Sequence, residues 1–130
     1  MKNIIAALIV LFLVEASHAE DLFTCFLNNG ETLGISRSAS ENGGNTIQLE
    51  KIFLNDNRPR ISTAFNQAVI VEYGAKFIIL CNRGRSGYAL INIDTEEESG
   101  IIDINLFGAQ VNGLNMKDQK FHCLRGKIVL

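Results

Sequence analysis

Two arginine pairs, one histidine, three cysteines and a short acidic run are the residues here whose types and spacing invite chemistry. Arg58 and Arg60 stand one residue apart in a polar stretch, and Arg83 and Arg85 do the same in another. Guanidinium forks match carboxylate and phosphate oxygens in geometry and charge. If the two loops share one end of the domain, Arg58, Arg60, Arg83 and Arg85 would face a carboxylate- or phosphate-bearing ligand. The competing explanation is scattered arginines that only keep the surface soluble.

The other candidates lead away from catalysis. Past residue 19 the one histidine is His122, and Cys123 beside it points to the opposite face of a strand. A thiol nucleophile needs a histidine within reach as base, and a zinc site needs further ligands. Gly84-Arg85-Ser86-Gly87-Tyr88 looks like a nucleophile elbow until its last position, where Tyr88 replaces the required glycine. Its glycines suit a tight hairpin turn instead. Asp94, Glu96, Glu97, Glu98 and Asp103 crowd one hairpin but lack the alternation that aims oxygens at Ca²⁺. They read as a solvated acidic turn. With 0 Trp and 2 Tyr there is little aromatic platform for a sugar, and no Gly-rich loop opens a helix for phosphate. We expect no enzyme, no cofactor and no metal.

Where these residues work is set by the N-terminus. Lys2 precedes an unbroken apolar run at 4–14, followed by Glu15-Ala16-Ser17-His18-Ala19. A membrane-crossing helix needs about 20 apolar residues, and this run is far shorter. Ser17 and Ala19 fit the small-x-small cleavage pattern, so residues 1–19 are expected to be a secretory signal peptide cut near Ala19. Residues 20–130 are then a single β-rich domain, secreted or periplasmic, with no membrane span. The chain carries 12 Lys+Arg against 14 Asp+Glu, net −2, and losing 1–19 removes one charge of each sign. That balance excludes a nucleic-acid binder, which needs a basic surplus to displace phosphate counterions.

Export gives the 3 cysteines an oxidising setting. An odd count allows one internal bridge and leaves one thiol. Cys81-Asn82-Arg83-Gly84 and Cys123-Leu124-Arg125-Gly126 share a Cys-x-Arg-Gly pattern, each ending a strand before a turn. The expected bridge is Cys25–Cys123, joining the first and last strands. Cys81–Cys123 is the nearest alternative. Closing a loop of roughly 100 residues is worth about 4–5 kcal/mol in the chain-entropy treatment. Cys81 is then a small buried apolar residue.

The elements that must position these residues are short strands. Runs at 22–27, 31–36, 46–54, 61–65, 68–73, 76–81, 88–94, 101–107 and 120–130 are cut by Gly and Asn clusters. Asn28-Asn29-Gly30 is a strong hairpin signal, since turn residues there need positive φ. Ile47 with Leu49, the trio Ala89, Ile91 and Ile93, and the trio Ile102, Ile104 and Leu106 each line one face. About eight strands at ten-residue spacing predict an all-β domain, a small antiparallel barrel or sandwich. A helix over 61–73 fits a 3.6 period, but Val69-Ile70-Val71 opposes it.

Thr24-Cys25 with Gly30–Leu33, Ser86-Gly87-Tyr88 and Cys123 resemble, over few residues, the layout of the small periplasmic inhibitors of c-type lysozyme. Those are exported β-barrels with one cysteine in the first strand and one near the C-terminus. No specific motif is shared, and the basic stretch after Cys123 has no counterpart in that layout. No inhibitory residue is carried across. The expected function is a non-enzymatic binding or inhibitor-like module that meets a protein or anionic ligand through its loops. The alternative is an envelope-associated assembly protein that uses the edges of its terminal strands, or its odd cysteine.

Overall fold

A computed structural model of the chain describes residues 20–27, 30–39, 44–53 and 60–126. The predicted signal peptide, Arg58, most of the Asn28-Asn29-Gly30 turn and the tail 127–130 lie outside the described residues.

Eight strands form one closed antiparallel barrel in simple up-and-down order. They are β1 (Glu20–Phe26), β2 (Glu31–Ala39), β3 (Asn45–Phe53), β4 (Ile61–Tyr73), β5 (Lys76–Asn82), β6 (Gly87–Asp94), β7 (Ser99–Leu106) and β8 (Met116–Arg125). Single 3-10 turns fill Gly84–Ser86 and Asn112–Leu114. The choice between barrel and sandwich is therefore settled: β1 pairs β8 and closes the sheet on itself.

Alternation drives this. Phe23 and Cys25, Leu33 and Ile35, Ile47 and Leu49, and Ile91 and Ile93 are buried at every second position, as the pleat requires. Eight strands leave an interior just wide enough for side chains. Here Phe65, Ile79, Ile102 and Leu114 join the others to fill it, each at 0% exposure. Burying each such side chain stabilises by about 1.5–3 kcal/mol.

Two strands depart from the sequence reading. Runs 61–65 and 68–73 are one strand, β4, with Asn66 and Gln67 exposed inside it. On β3, Ile47 faces Phe65 but Asn45 faces Ala68, so β4 carries one extra residue, a β-bulge. The bulge reverses the inward parity from Thr63 and Phe65 to Ala68 and Ile70. That phase slip looks like a strand break in the sequence, and it also produces the spurious 3.6 period. β8 starts at Met116, not at residue 120. Its ladder to β7 is irregular between Ile102 and Ile104, and Asp118 has φ +46. A bulge within polar Lys117-Asp118-Gln119 hides the strand.

The structure joins Cys25 to Cys123 and leaves Cys81 as a buried free thiol. Cys25 and Cys123 stand directly opposite each other on β1 and β8, so the bridge staples the seam that closes the barrel.

Candidate functional site

A filled interior moves any recognition to the barrel's ends and outer wall. In an up-and-down barrel the loops alternate between two mouths. The β1–β2, β3–β4, β5–β6 and β7–β8 connections therefore share one mouth. Both arginine-bearing loops belong to it.

The β7–β8 connection plugs this mouth. Leu114, in the 3-10 turn, is fully buried, and Gly113 sits so close to Ile61 that a Cβ there would lie 2.4 Å from its Cδ1. Lys51 Nζ donates to the Gly113 carbonyl at 3.0 Å and pairs with Glu31 Oε2 at 2.9 Å. It also lies 5.3 Å from the Phe53 ring centroid. These contacts compensate the desolvation of a lysine that is only 9% exposed. Asn115 clamps the loop to β7, since its Oδ1 accepts from Leu106 N at 2.7 Å and its Nδ2 donates to Leu106 O at 2.9 Å.

Around the plug stand the arginines. Arg60 opens β4 and reaches Glu50 Oε1 at 3.6 Å, with its side chain 71% exposed. Arg83 ends the β5 side of its hairpin, where its guanidinium lies 5.4 Å from the Phe65 ring centroid. Its N–H donates to Gly87 O at 2.9 Å, and the Asn82 side chain accepts from Gly84 N at 2.8 Å. Arg85 is exposed in the 3-10 turn between them. Arg60, just before β4, and Phe65, the ring under Arg83, are five residues apart, roughly 17 Å at ~3.3 Å per residue. The fold thus brings the arginines to one mouth but not into one cluster. They suit an extended anionic surface better than a single small anion.

The other mouth is closed by Phe23 against Phe77, centroids 5.1 Å apart and edge to face. Arg125 lies over Phe23 at 5.9 Å and pairs with Glu72 at 3.8 Å. The acidic hairpin is at this end. Asp94 Oδ1 accepts from Glu96 N at 3.0 Å and Glu97 N at 3.2 Å, so that carboxylate serves the turn itself. Among the described residues no three His, Cys, Asp or Glu side chains gather as a metal site.

The nucleophile candidates stay apart. His122 is exposed while Cys123 is buried and disulfide-bonded; the His122 ring lies 6.4 Å from that of Phe26, centroid to centroid. Burial pushes the Cys81 thiol up to about 12, so it stays protonated at neutral pH and is a poor nucleophile. Tyr88 Oη donates to Asp103 Oδ2 at 3.1 Å; that hydrogen bond, with the nearby charge, raises the phenol above its ordinary value. Asp103 thus braces Tyr88 on the outer wall and does not belong to an acidic cluster.

What the sequence reading missed is on the outer wall. Val69, Val71 and Tyr73 of β4 and Ile78 and Leu80 of β5 are all exposed. Register places Val69 beside Leu80 and Val71 beside Ile78. The available signal was Phe77-Ile78-Ile79-Leu80, an apolar run on both faces of an antiparallel strand, where one face normally turns polar toward water.

No protein-family model, curated protein or solved structure matches the chain.

Proposed function

We propose that the protein is a non-enzymatic binding module that works outside the cytoplasm after loss of residues 1–19. It meets an acidic partner through the mouth that carries Arg60, Arg83 and Arg85. One observation supports this reading: apolar side chains line the barrel interior among the described residues, while the topology puts Arg60, Arg83 and Arg85 at a single mouth. A disulfide between buried partners is compatible with an oxidising extracellular or periplasmic setting. No helix among the described residues is long and apolar enough to cross a membrane. We favour this over assembly through terminal-strand edges or a free thiol, because β1 pairs with β8 and Cys81 is buried.

Calorimetric titration with a polyglutamate peptide tests the proposal. Binding is expected to weaken with salt and to fall at least ~10-fold in the Arg60→Ala/Arg85→Ala double variant. Equal affinity of the double variant and the parent would overturn it.

A further inference from the structure

β4 outruns its neighbour. Its ladder with β3 ends at Asn45 opposite Ala68, while its ladder with β5 continues from Ala68 to Tyr73. From Val69 to Tyr73, β4 therefore has a strand on one side only among the described residues.

The hairpin fixes which backbone groups face outward. Tyr73 and Lys76 flank a two-residue turn, Gly74-Ala75, with Gly74 at φ +59. In such a hairpin the flanking pair exchanges hydrogen bonds, and so does every second pair after it. Tyr73, Val71 and Val69 thus bond to β5. The N–H and C=O groups of Ile70 and Glu72 point the other way, toward the open side. Natural proteins guard such an edge with lysine, proline or a bulge. Val69-Ile70-Val71-Glu72-Tyr73 carries no lysine or proline, and its one charge, Glu72, is offset by Arg125.

We infer that this edge pairs with the same edge of a second copy, as an antiparallel two-fold dimer centred on Val71. The self-match is complete. In that register Ile70 of each copy faces Glu72 of the other, and each pair exchanges two hydrogen bonds. All four outward backbone groups of each copy are then satisfied by the same four of its partner, as an isologous interface demands. Val71 meets its own equivalent at a non-hydrogen-bonded site, where side chains come closest. Val69 meets Tyr73, and both rows continue onto Leu80 and Ile78, so one apolar face runs through both barrels. Charges agree as well. Glu72 points to the other face, stands opposite Ile70, and is already paired with Arg125 at 3.8 Å. The Glu72 residues of the two copies are diagonal neighbours across the axis, about 7–8 Å apart, and each keeps its own Arg125 beside it.

Sedimentation of the protein expressed from its full chain tests this. The parent is expected to show a concentration-dependent dimer, with the Ile70 and Glu72 amides protected from exchange only as the dimer forms. Val71→Lys and Val71→Glu should each weaken it by roughly a hundredfold, because like charges meet on the axis. Both should keep the parent's circular dichroism and melting temperature. Mixed in equal amounts, the two variants should recover a dimer, which a folding defect would not allow. A monomeric parent at its highest soluble concentration would overturn the inference. So would Ile70 and Glu72 amides protected at every concentration, since the chain then covers its own edge. Failure of the mixture to dimerise would overturn it too.

Discussion

Replacing Cys25 and Cys123 together with alanine is expected to cost about 4–5 kcal/mol of stability. The bridge spans a sequence separation of 98 residues, and its loss restores to the unfolded chain most of the conformational freedom that a loop of that length takes away. Its position adds to the effect. β1 and β8 pair over only four residue pairs, Phe23–Phe26 with His122–Arg125, against nine between β2 and β3. The disulfide staples the shortest ladder among the described residues. For a domain of this size each kcal/mol is worth ~4–8 °C, so the melting temperature should fall by roughly 20–35 °C. Urea unfolding of the parent and the double variant reads the difference directly. A loss below ~1 kcal/mol would show that the seam holds without its bridge.

The second large effect belongs to Gly87, where β6 begins. Its φ of +123 and ψ of −167 lie in a region open to glycine alone. A Cβ there would stand 2.0 Å from Asn105 O and 2.8 Å from Leu106 Cα, both backbone atoms of β7. Neither can swing aside as a side-chain tip would. Strain of ~1–3 kcal/mol adds to overpacking of similar size, so Gly87→Ala should cost roughly 3–5 kcal/mol. Gly84 in the same loop is the control. It has φ +62 but nothing within 4 Å of a Cβ, so Gly84→Ala should cost only about 1–2 kcal/mol. Thermal melts of the two variants check this; equal losses would mean that contact with β7 contributes nothing.

Both effects trace to features visible in the sequence, and the boundary of that visibility has a physical cause. Strict alternation betrayed the strands with undisturbed ladders. Ala89, Ile91 and Ile93 in β6 and Ile102, Ile104 and Leu106 in β7 are buried as read. The Cys25–Cys123 bridge was only the preferred pairing in the sequence, with Cys81–Cys123 close behind, because the choice depends on β1 meeting β8. Where a bulge shifts the phase, at Asn66-Gln67 and in Lys117–Gln119, the period-2 signal breaks, and one strand reads as two or starts late.

The candidate site was legible to the same depth. That Arg60 and Arg83 share one mouth was a condition in the sequence and follows only from the up-and-down order of the strands. Their spacing along β4 depends on where that strand starts and which residue lies beneath Arg83, and sequence does not encode either locally. The edge at Val69–Tyr73, unpaired on one side among the described residues, was hidden for a related reason. It depends on how far β3 extends beside β4, which is a matter of lateral register.

The most direct measurement is amide and methyl chemical-shift mapping of the intact protein during titration with polyglutamate. Shifts are expected in residues 83–86 and at Arg60, with the methyls of Ile79, Ile91 and Ile102 unmoved, because these side chains are buried inside the barrel. Shifts in those core methyls, or confined to the Asp94–Ser99 hairpin at the opposite mouth, would contradict the proposed function.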